Sequence, residues 1–385
     1  MKVLIANPPA YLYNEGRRYI QGGSRWSYSE FIPRKEALRS TLYMPYPFFL
    51  GYAASYLRAH SDADVEFLDA AAELQNEVDF LRRLKSSQPD LLVVEAPTVS
   101  WNPIMRVLRE AKSALPDMKV AVTGLHVTGL GVQALVGQPQ VDFALTGEFE
   151  LTLAELVDRA LDPRGVRGLI YRDGDRLVDN GRRPLDADLS RYPYPERPPH
   201  LIDRYYDFAI AGRPNVQMLT SRGCPVGCNF CYTTFFYSGR AWRGRKPEDV
   251  ANEVLYVREK LGARMVYFDD DTMTLNHKHF EAIVRYFIEN KVDVPWAAMG
   301  DVTLPRELVH LAKRAGLVGL KFGVESADPA VLRGMHKGPV SADRAMRFRE
   351  LLKEEGIWAH ATFSYGHPGD TVDSMTYTAR FALRL

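Results

Sequence analysis

All three cysteines of the chain fall within eight residues, Cys224-Pro-Val-Gly-Cys228-Asn-Phe-Cys231. No other stretch constrains the fold as much, because the backbone here must be able to wrap whatever the thiols hold. An odd number of thiols does not make a closed disulfide framework. A tetrahedral zinc site wants four ligands, and no histidine stands nearby at finger spacing. Iron–sulfur clusters are held by cysteine thiolates at close spacing, and three ligands on a four-iron cubane leave one iron open. Three buried structural cysteines are the bland alternative, but they have no reason to fall as C-x3-C-x2-C. Residues 216–220 read as a strand. The cysteines follow its end in a loop whose glycines tolerate positive φ and close backbone approach.

The length of 385 residues allows two or three domains. With 49 basic against 48 acidic side chains the net charge is +1, which leaves no electrostatic footprint for nucleic acid or an anionic membrane. No run approaches the ~20 apolar residues of a membrane span. Residues 1–9 lack the apolar core and cleavage site of a signal peptide. Reduced thiols point to the cytoplasm.

Short apolar runs at 2–6, 65–69, 90–95, 119–123 and 141–145 read as strands. They alternate with helical patterns at 48–58, 73–85, 102–114 and 151–160. Asn102 is the expected cap of the third helix, with Pro103 in its first turn. This alternation predicts an α/β fold with a doubly wound parallel sheet, which binds ligands at the carboxyl ends of its strands. Those ends carry Asn7-Pro8-Pro9, Asp69, Thr98 to Ser100, a glycine-rich loop over 124–131, and Gly147-Glu148. No G-x-G-x-x-G follows the first strand, so the dinucleotide fingerprint is absent. Residues 11–49 show no period but are crowded with aromatics, among them Trp26, Tyr28 and Phe31. That content argues against disorder and for a functional segment.

Residues 162–212 read as a linker. A small hairpin over 168–178 turns at Asp173-Gly174, and a proline-rich stretch over 192–199 is stiff enough for a spacer. Beyond it, strands at 216–220, 264–268, 295–299, 320–324 and 357–363 alternate with helices at 247–261, 278–290, 305–315, 342–355 and 373–385. A βα repeat with polar strand ends suits a barrel whose site is at that mouth. The carboxylates of Asp269, Asp270 and Asp271 cannot all face one way from a strand. Glu325, after the fourth strand, suits a pair of hydroxyl donors or a surface salt bridge. Lys337 could meet a carboxylate, but reads first as solvated.

The cysteine spacing, with Phe230 just before the third cysteine, resembles the signature of the radical S-adenosylmethionine (SAM) enzymes. Ahead of it, the Asn-Pro-Pro start, the loop Thr123-Gly-Leu-His-Val-Thr128 and the Thr146-Gly-Glu turn resemble the cobalamin-binding domain of the cobalamin-dependent members of that family. The resemblance covers nearly the whole chain and is tightest over 216–232. It implies a Rossmann-like cobalamin-binding domain over 1–161, the linker over 162–212, and a partial (β/α) radical SAM barrel over 213–385. Five barrel strands are counted where the family has six, so the barrel reads as truncated after the fifth strand.

On this resemblance Cys224, Cys228 and Cys231 hold a 4Fe–4S cluster, and its open iron takes the amino and carboxylate groups of SAM. Phe230 and Tyr232 lie where an adenine ring could stack, or else pack in the core. Asp270 and Asp271 follow the second strand, where the family keeps its motif for the SAM amino group, usually with Gly-Gly-Glu; this chain departs from it. Glu325 stands where the family often holds the ribose hydroxyls. The cobalamin side takes in Asn7, Pro8, Thr98, Ser100, Gly124, His126, Thr128, Gly147 and Glu148. The familiar loop there is Gly-Gly-Pro-His-x-Thr, from which Thr123-Gly-Leu departs. Asp-x-His-x-x-Gly is absent, so no protein histidine is expected on cobalt. His126 either meets the corrin or its tail or bonds backbone in its own loop.

The activity implied is methylation of an unactivated carbon in a small molecule of secondary-metabolite or cofactor type. A 5′-deoxyadenosyl radical removes hydrogen and methylcobalamin supplies the methyl group. An electron donor such as flavodoxin or ferredoxin is implied as well. Two alternatives stay open: a cyclase or ring-rearranging enzyme with the same cofactors, and a non-catalytic iron–sulfur or corrin-binding protein. The aromatic segment 11–49 could roof a substrate site.

Overall fold

Lys2–Asn7 forms strand β1 as a run of branched apolar side chains, and Val3, Leu4, Ile5 and Ala6 are fully buried. Burial on both faces is what a central strand of a helix-covered parallel sheet requires. The computed structural model describes residues 1–14, 17–21, 44–208, 210–232 and 237–385, without the side chains of 10–21. Trp26, Tyr28 and Phe31, and with them most of the aromatic segment expected as a roof, lie outside the described residues. Ala10–Asn14 (β2) and Arg17–Gln21 (β3) pair as a separate antiparallel hairpin. Two units are distinct: Met1–Asp186 with Arg191–Asp207, and Ala187–Ser190 with Phe208–Leu385.

In the first unit β1 lies between β4 (Asp64–Asp69) and β5 (Leu91–Glu95), parallel to both. β6 (Lys119–Thr123) and β7 (Phe143–Leu145) extend the parallel set. β8 (Leu169–Asp173) and β9 (Arg176–Asp179) then pair antiparallel on the same edge. The sheet order is β4-β1-β5-β6-β7-β8-β9. The hairpin expected in the linker is therefore part of this sheet, which is mixed at one edge. Its physical reason is that Leu169 and Ile170 bury their side chains by pairing with Leu145 and Ala144.

Three helix starts differ from the sequence reading, each for a local reason. The second helix spans Glu77–Ser87 and begins later than residue 73, because Asn76 and Asp79 close a reciprocal capping box. The third spans Trp101–Ala114 with Ser100, not Asn102, at its cap, and the indole of Trp101 is buried in its first turn. The expected loop after β6 is instead a short helix, Leu125–Leu130, entered through Gly124 at φ +110°.

The proline-rich stretch is not a free spacer. Tyr192 packs edge-on against Tyr52 at 6.5 Å, and Glu196 N donates to Gly51 O at 3.0 Å. Tyr46 Oη donates to the Glu196 carbonyl, and Arg58 pairs with the Glu196 carboxylate. These contacts fall within the first unit and hold the stretch on the helix Phe48–His60.

The second unit carries a five-stranded parallel sheet among the described residues. Its strands are β10 (Asn215–Met218), β13 (Met265–Phe268), β14 (Trp296–Gly300), β15 (Leu317–Glu325) and β16 (Trp358–Phe363), in that order. A short antiparallel pair, β11 (Ser221–Arg222) with β12 (Arg243–Gly244), leaves the sheet just before the cysteines. Trp296 anchors the sheet: it is 1% exposed, meets Phe268, Phe280 and Phe287 edge-on, and donates from Nε1 to Ala315 O at 2.8 Å. Burying a polar tip with its partner keeps a large aromatic from costing an unpaired donor.

Candidate functional site

The cysteine loop is held at its entrance by two neighbouring carboxylates. Asp270, fully buried, accepts from Thr220 N at 3.0 Å, Thr220 Oγ1 at 2.8 Å and Ser221 Oγ at 2.6 Å. Burial raises its pKa, and these hydrogen bonds oppose the rise. Asp271 Oδ2 accepts from Gly223 N at 3.0 Å. The two side chains at the exit of β13 thus tie down the exit of β10, some fifty residues earlier. Gly223 has φ +89°, and a Cβ there would collide with the Ala241 carbonyl. Only glycine fits both the conformation and the approach.

Cys228 is buried, while Cys224 and Cys231 are half-buried. Cys231 N donates to Cys228 O at 3.1 Å, which closes a tight turn between them. Burial pushes the Cys224 thiol up to about 11, and the nearby Asp271, Cys231 and Cys228 push the same way. The three thiols share a loop and an electrostatic neighbourhood. Among the described residues, however, no three His, Cys, Asp or Glu side chains form a ready-made metal-holding group. Soft thiol donors on a glycine-permitted loop suit an iron–sulfur cluster, and binding it would expel the protons that burial retains.

A second cluster faces this loop from β15 and β16. Glu325 Oε1 accepts from Lys337 Nζ at 3.0 Å, and Oε2 accepts from Ser364 Oγ at 3.0 Å. Ser364 Oγ also bonds His367 Nε2 at 2.7 Å. The ring of Phe230 lies 5.1 Å from that of His367 and 5.8 Å from Lys337 Nζ. Lys337 is therefore not solvated; its side chain is 18% exposed. Glu325 sits at φ +65°, an uncommon conformation for a side-chain-bearing residue, at a register shift between β15 and β16. Sequence reasoning missed Ser364 and His367. The signal available was their place at the exit of the fifth strand. Phe230 and Tyr232 are 40% and 42% exposed, so neither is core packing.

At the strand ends of the first unit the named residues fall into two groups. Thr98 Oγ1 bonds His126 Nδ1 at 3.2 Å, and the His126 ring stacks on Trp101 at 4.1 Å. Burial lowers the His126 pKa. Its partner is a side chain, not the backbone expected for a loop histidine. Thr128 Oγ1 donates to Gly124 O at 2.8 Å and accepts from Gly147 N at 3.0 Å, joining the exits of β6 and β7. Asn7 stands apart from these: its Nδ2 donates to Asp69 Oδ1 at 2.8 Å, and Tyr205 Oη donates to Asp69 Oδ2 at 3.0 Å. Pro8, Ser100 and Glu148 are buried beside these strand ends.

Burial pushes the Asp69 carboxyl up to about 6, against the hydrogen bonds from Ala72, Asn7 and Tyr205. A folded-state pKa above the unfolded one means that the fold binds the proton more tightly. The contribution is full below pH 4 and lost as pH rises through about 6. Asp69→Asn is expected to remove roughly 3 kcal/mol of pH dependence between pH 4 and 7. Urea unfolding of both proteins across that range checks it; parallel curves would show that Asp69 does not titrate in the window.

Two family matches divide the chain as the two units do. Residues 218–382 match the radical SAM superfamily and residues 37–157 match the B12 binding domain. The chain is 30% identical over 343 residues to the uncharacterized methyltransferase PH0819 of Pyrococcus horikoshii, covering 88% of this chain and 73% of that protein. It is 27% identical to the anaerobic magnesium-protoporphyrin IX monomethyl ester cyclase of Cereibacter sphaeroides, covering 87% of this chain but only 56% of the cyclase. Its fold is shared with the cobalamin-dependent SAM radical enzyme OxsB, at a TM-score of 0.77 and 17% identity. That match covers 99% of this chain and 51% of OxsB. No helix among the described residues is long and apolar enough to cross a membrane.

Proposed function

The chain belongs to the cobalamin-dependent radical SAM enzymes, whose cofactors are a 4Fe–4S cluster, SAM and cobalamin, and on that premise we propose that it is a methyltransferase acting on an unactivated carbon of a small molecule. The observation that carries the reading is the 30% identity, along 88% of the chain, to a relative described as a methyltransferase. When bound, the cluster and SAM supply a 5′-deoxyadenosyl radical, and the corrin supplies the methyl group.

The protein's own work is holding and orienting. Cys224, Cys228 and Cys231 would hold the cluster. Asp270 and Asp271 position that loop through Thr220, Ser221 and Gly223, so Asp270 is a positioning residue rather than a contact for SAM. The exposed rings of Phe230 and Tyr232 offer faces to adenine. Glu325 is fixed by Lys337 and Ser364, and its oxygens keep lone pairs for ribose hydroxyls. In the first unit Thr98, Gly124, His126, Thr128 and Gly147 would meet the corrin, with Asn7, Pro8, Ser100 and Glu148 shaping the sheet end beneath. Thr98 and Trp101 already engage the His126 ring, which supports a cobalt without a protein histidine. The reading takes the five-stranded sheet as part of a (β/α) barrel and includes an external one-electron donor such as flavodoxin or ferredoxin.

A second reading, a cyclase with the same cofactors, is favoured by the 27% identity to the magnesium-protoporphyrin cyclase. Product analysis separates the two. With a substrate present, methyl transfer yields 5′-deoxyadenosine together with S-adenosylhomocysteine and a product heavier by one methylene. A cyclase yields 5′-deoxyadenosine without S-adenosylhomocysteine.

A further inference from the structure

Lys337 follows the helix Pro329–Gly334, and nothing in its sequence neighbourhood marks it as part of the cysteine site. The fold nevertheless fixes it there. Asn229, between the first two-cysteine spacing and the last, donates from N to Met335 O at 3.1 Å and from Nδ2 to Gly334 O at 2.8 Å. These bonds lock the cysteine loop to the turn that carries Lys337. Its ammonium then lies 5.8 Å from the ring of Phe230, the residue between Asn229 and Cys231. Glu325 accepts from it at 3.0 Å, and the two side chains are only 18% and 12% exposed. Room for the pair is made by Gly323, where any Cβ would run into both Glu325 Oε1 and Lys337 Nζ.

We infer that Lys337 and Glu325 together set the reduction potential of the cluster held by Cys224, Cys228 and Cys231. The inference rests on the cysteine ligation proposed above. Reduction adds one electron, taken from the external donor, and so adds one negative charge at the cysteine loop. A neighbouring ammonium favours the more negative state and a neighbouring carboxylate opposes it. Both groups are mostly buried, so solvent and salt screen them weakly. Because they are paired, their effects largely offset, and removing either one unmasks the other.

The test is a potentiometric titration, read by electron paramagnetic resonance, of the anaerobically reconstituted protein without SAM. Dithionite is the reductant. Lys337→Met is expected to lower the midpoint, so that the reduced-to-oxidised ratio at a fixed potential falls about tenfold, or about 59 mV for one electron. Lys337→Arg keeps the charge and is expected to stay near wild type. Glu325→Gln is expected to move the midpoint the other way. Loosened packing would shift both variants in the same direction, so opposite shifts separate charge from structure. Unchanged midpoints, or shifts of one sign in Lys337→Met and Glu325→Gln, would overturn the inference. Should Lys337→Met hold no cluster, Glu325→Gln decides alone: an upward shift sustains the inference, and no shift or a downward one overturns it. A wild-type protein that assembles no cluster would overturn the cysteine ligation on which the inference stands.

Discussion

Protein carrying Cys228→Ala, reconstituted anaerobically with iron and sulfide, is expected to hold no stable cluster and to cleave SAM at background rate. The loss should be about a thousandfold or more, equivalent to about 4 kcal/mol of transition-state stabilisation. The chain has three cysteines in all, so no spare thiol can take the vacated place. Cys228 is the most buried of the three, and its carbonyl accepts from Cys231 N. That backbone bond survives the substitution, so the loop should keep its turn while losing one ligand. Iron and sulfide content, the visible spectrum and 5′-deoxyadenosine formation check the result together. A variant that retains cluster and turnover would remove Cys228 from the site.

Asp270→Ala is expected to destabilise the second unit by about 3 kcal/mol and to shorten the lifetime of the bound cluster. The carboxylate is fully buried and receives one backbone N–H and two hydroxyls. The hydroxyls of Thr220 and Ser221 can turn to other acceptors. The Thr220 N–H cannot, and a buried donor left unpaired forfeits its full desolvation cost. Asp270→Asn keeps one acceptor oxygen and should cost about half as much. Urea unfolding together with the rate of iron release from reconstituted protein measures both quantities. A change of less than about 0.5 kcal/mol, the scale of an ordinary surface substitution, would show that Asp270 does not hold the loop.

The parts of the molecule that periodicity reveals are those whose burial is local. Leu91–Glu95 is buried at every position, and such a run can be little other than an inner strand. The cysteine loop was legible for a similar reason: its chemistry is written in eight consecutive residues. Partnerships formed across the sequence were not legible. The hairpin of β8 and β9 has clear turn chemistry, yet only its pairing with Phe143–Leu145 shows that it belongs to the first sheet. Asp270 reads in the sequence as one of three adjacent carboxylates that cannot all face one way, and only the parallel pairing of β10 with β13 brings it under Thr220. Lys337 looked solvated because the strand register that brings Glu325 beside it is set by β15, β16 and their bulge. In each case the local pattern gave the element, and the long-range pairing gave the partner.

Methyl transfer from SAM to the bound corrin tests the central claim without knowledge of the substrate. The protein would be reconstituted with iron, sulfide and hydroxocobalamin, desalted, reduced, and incubated with SAM carrying a deuterated methyl group. The expected result is S-adenosylhomocysteine formation with the deuterated methyl recovered on the extracted corrin. Retained corrin with 5′-deoxyadenosine but no labelled methyl on it would contradict a methyltransferase and leave the cyclase reading in its place.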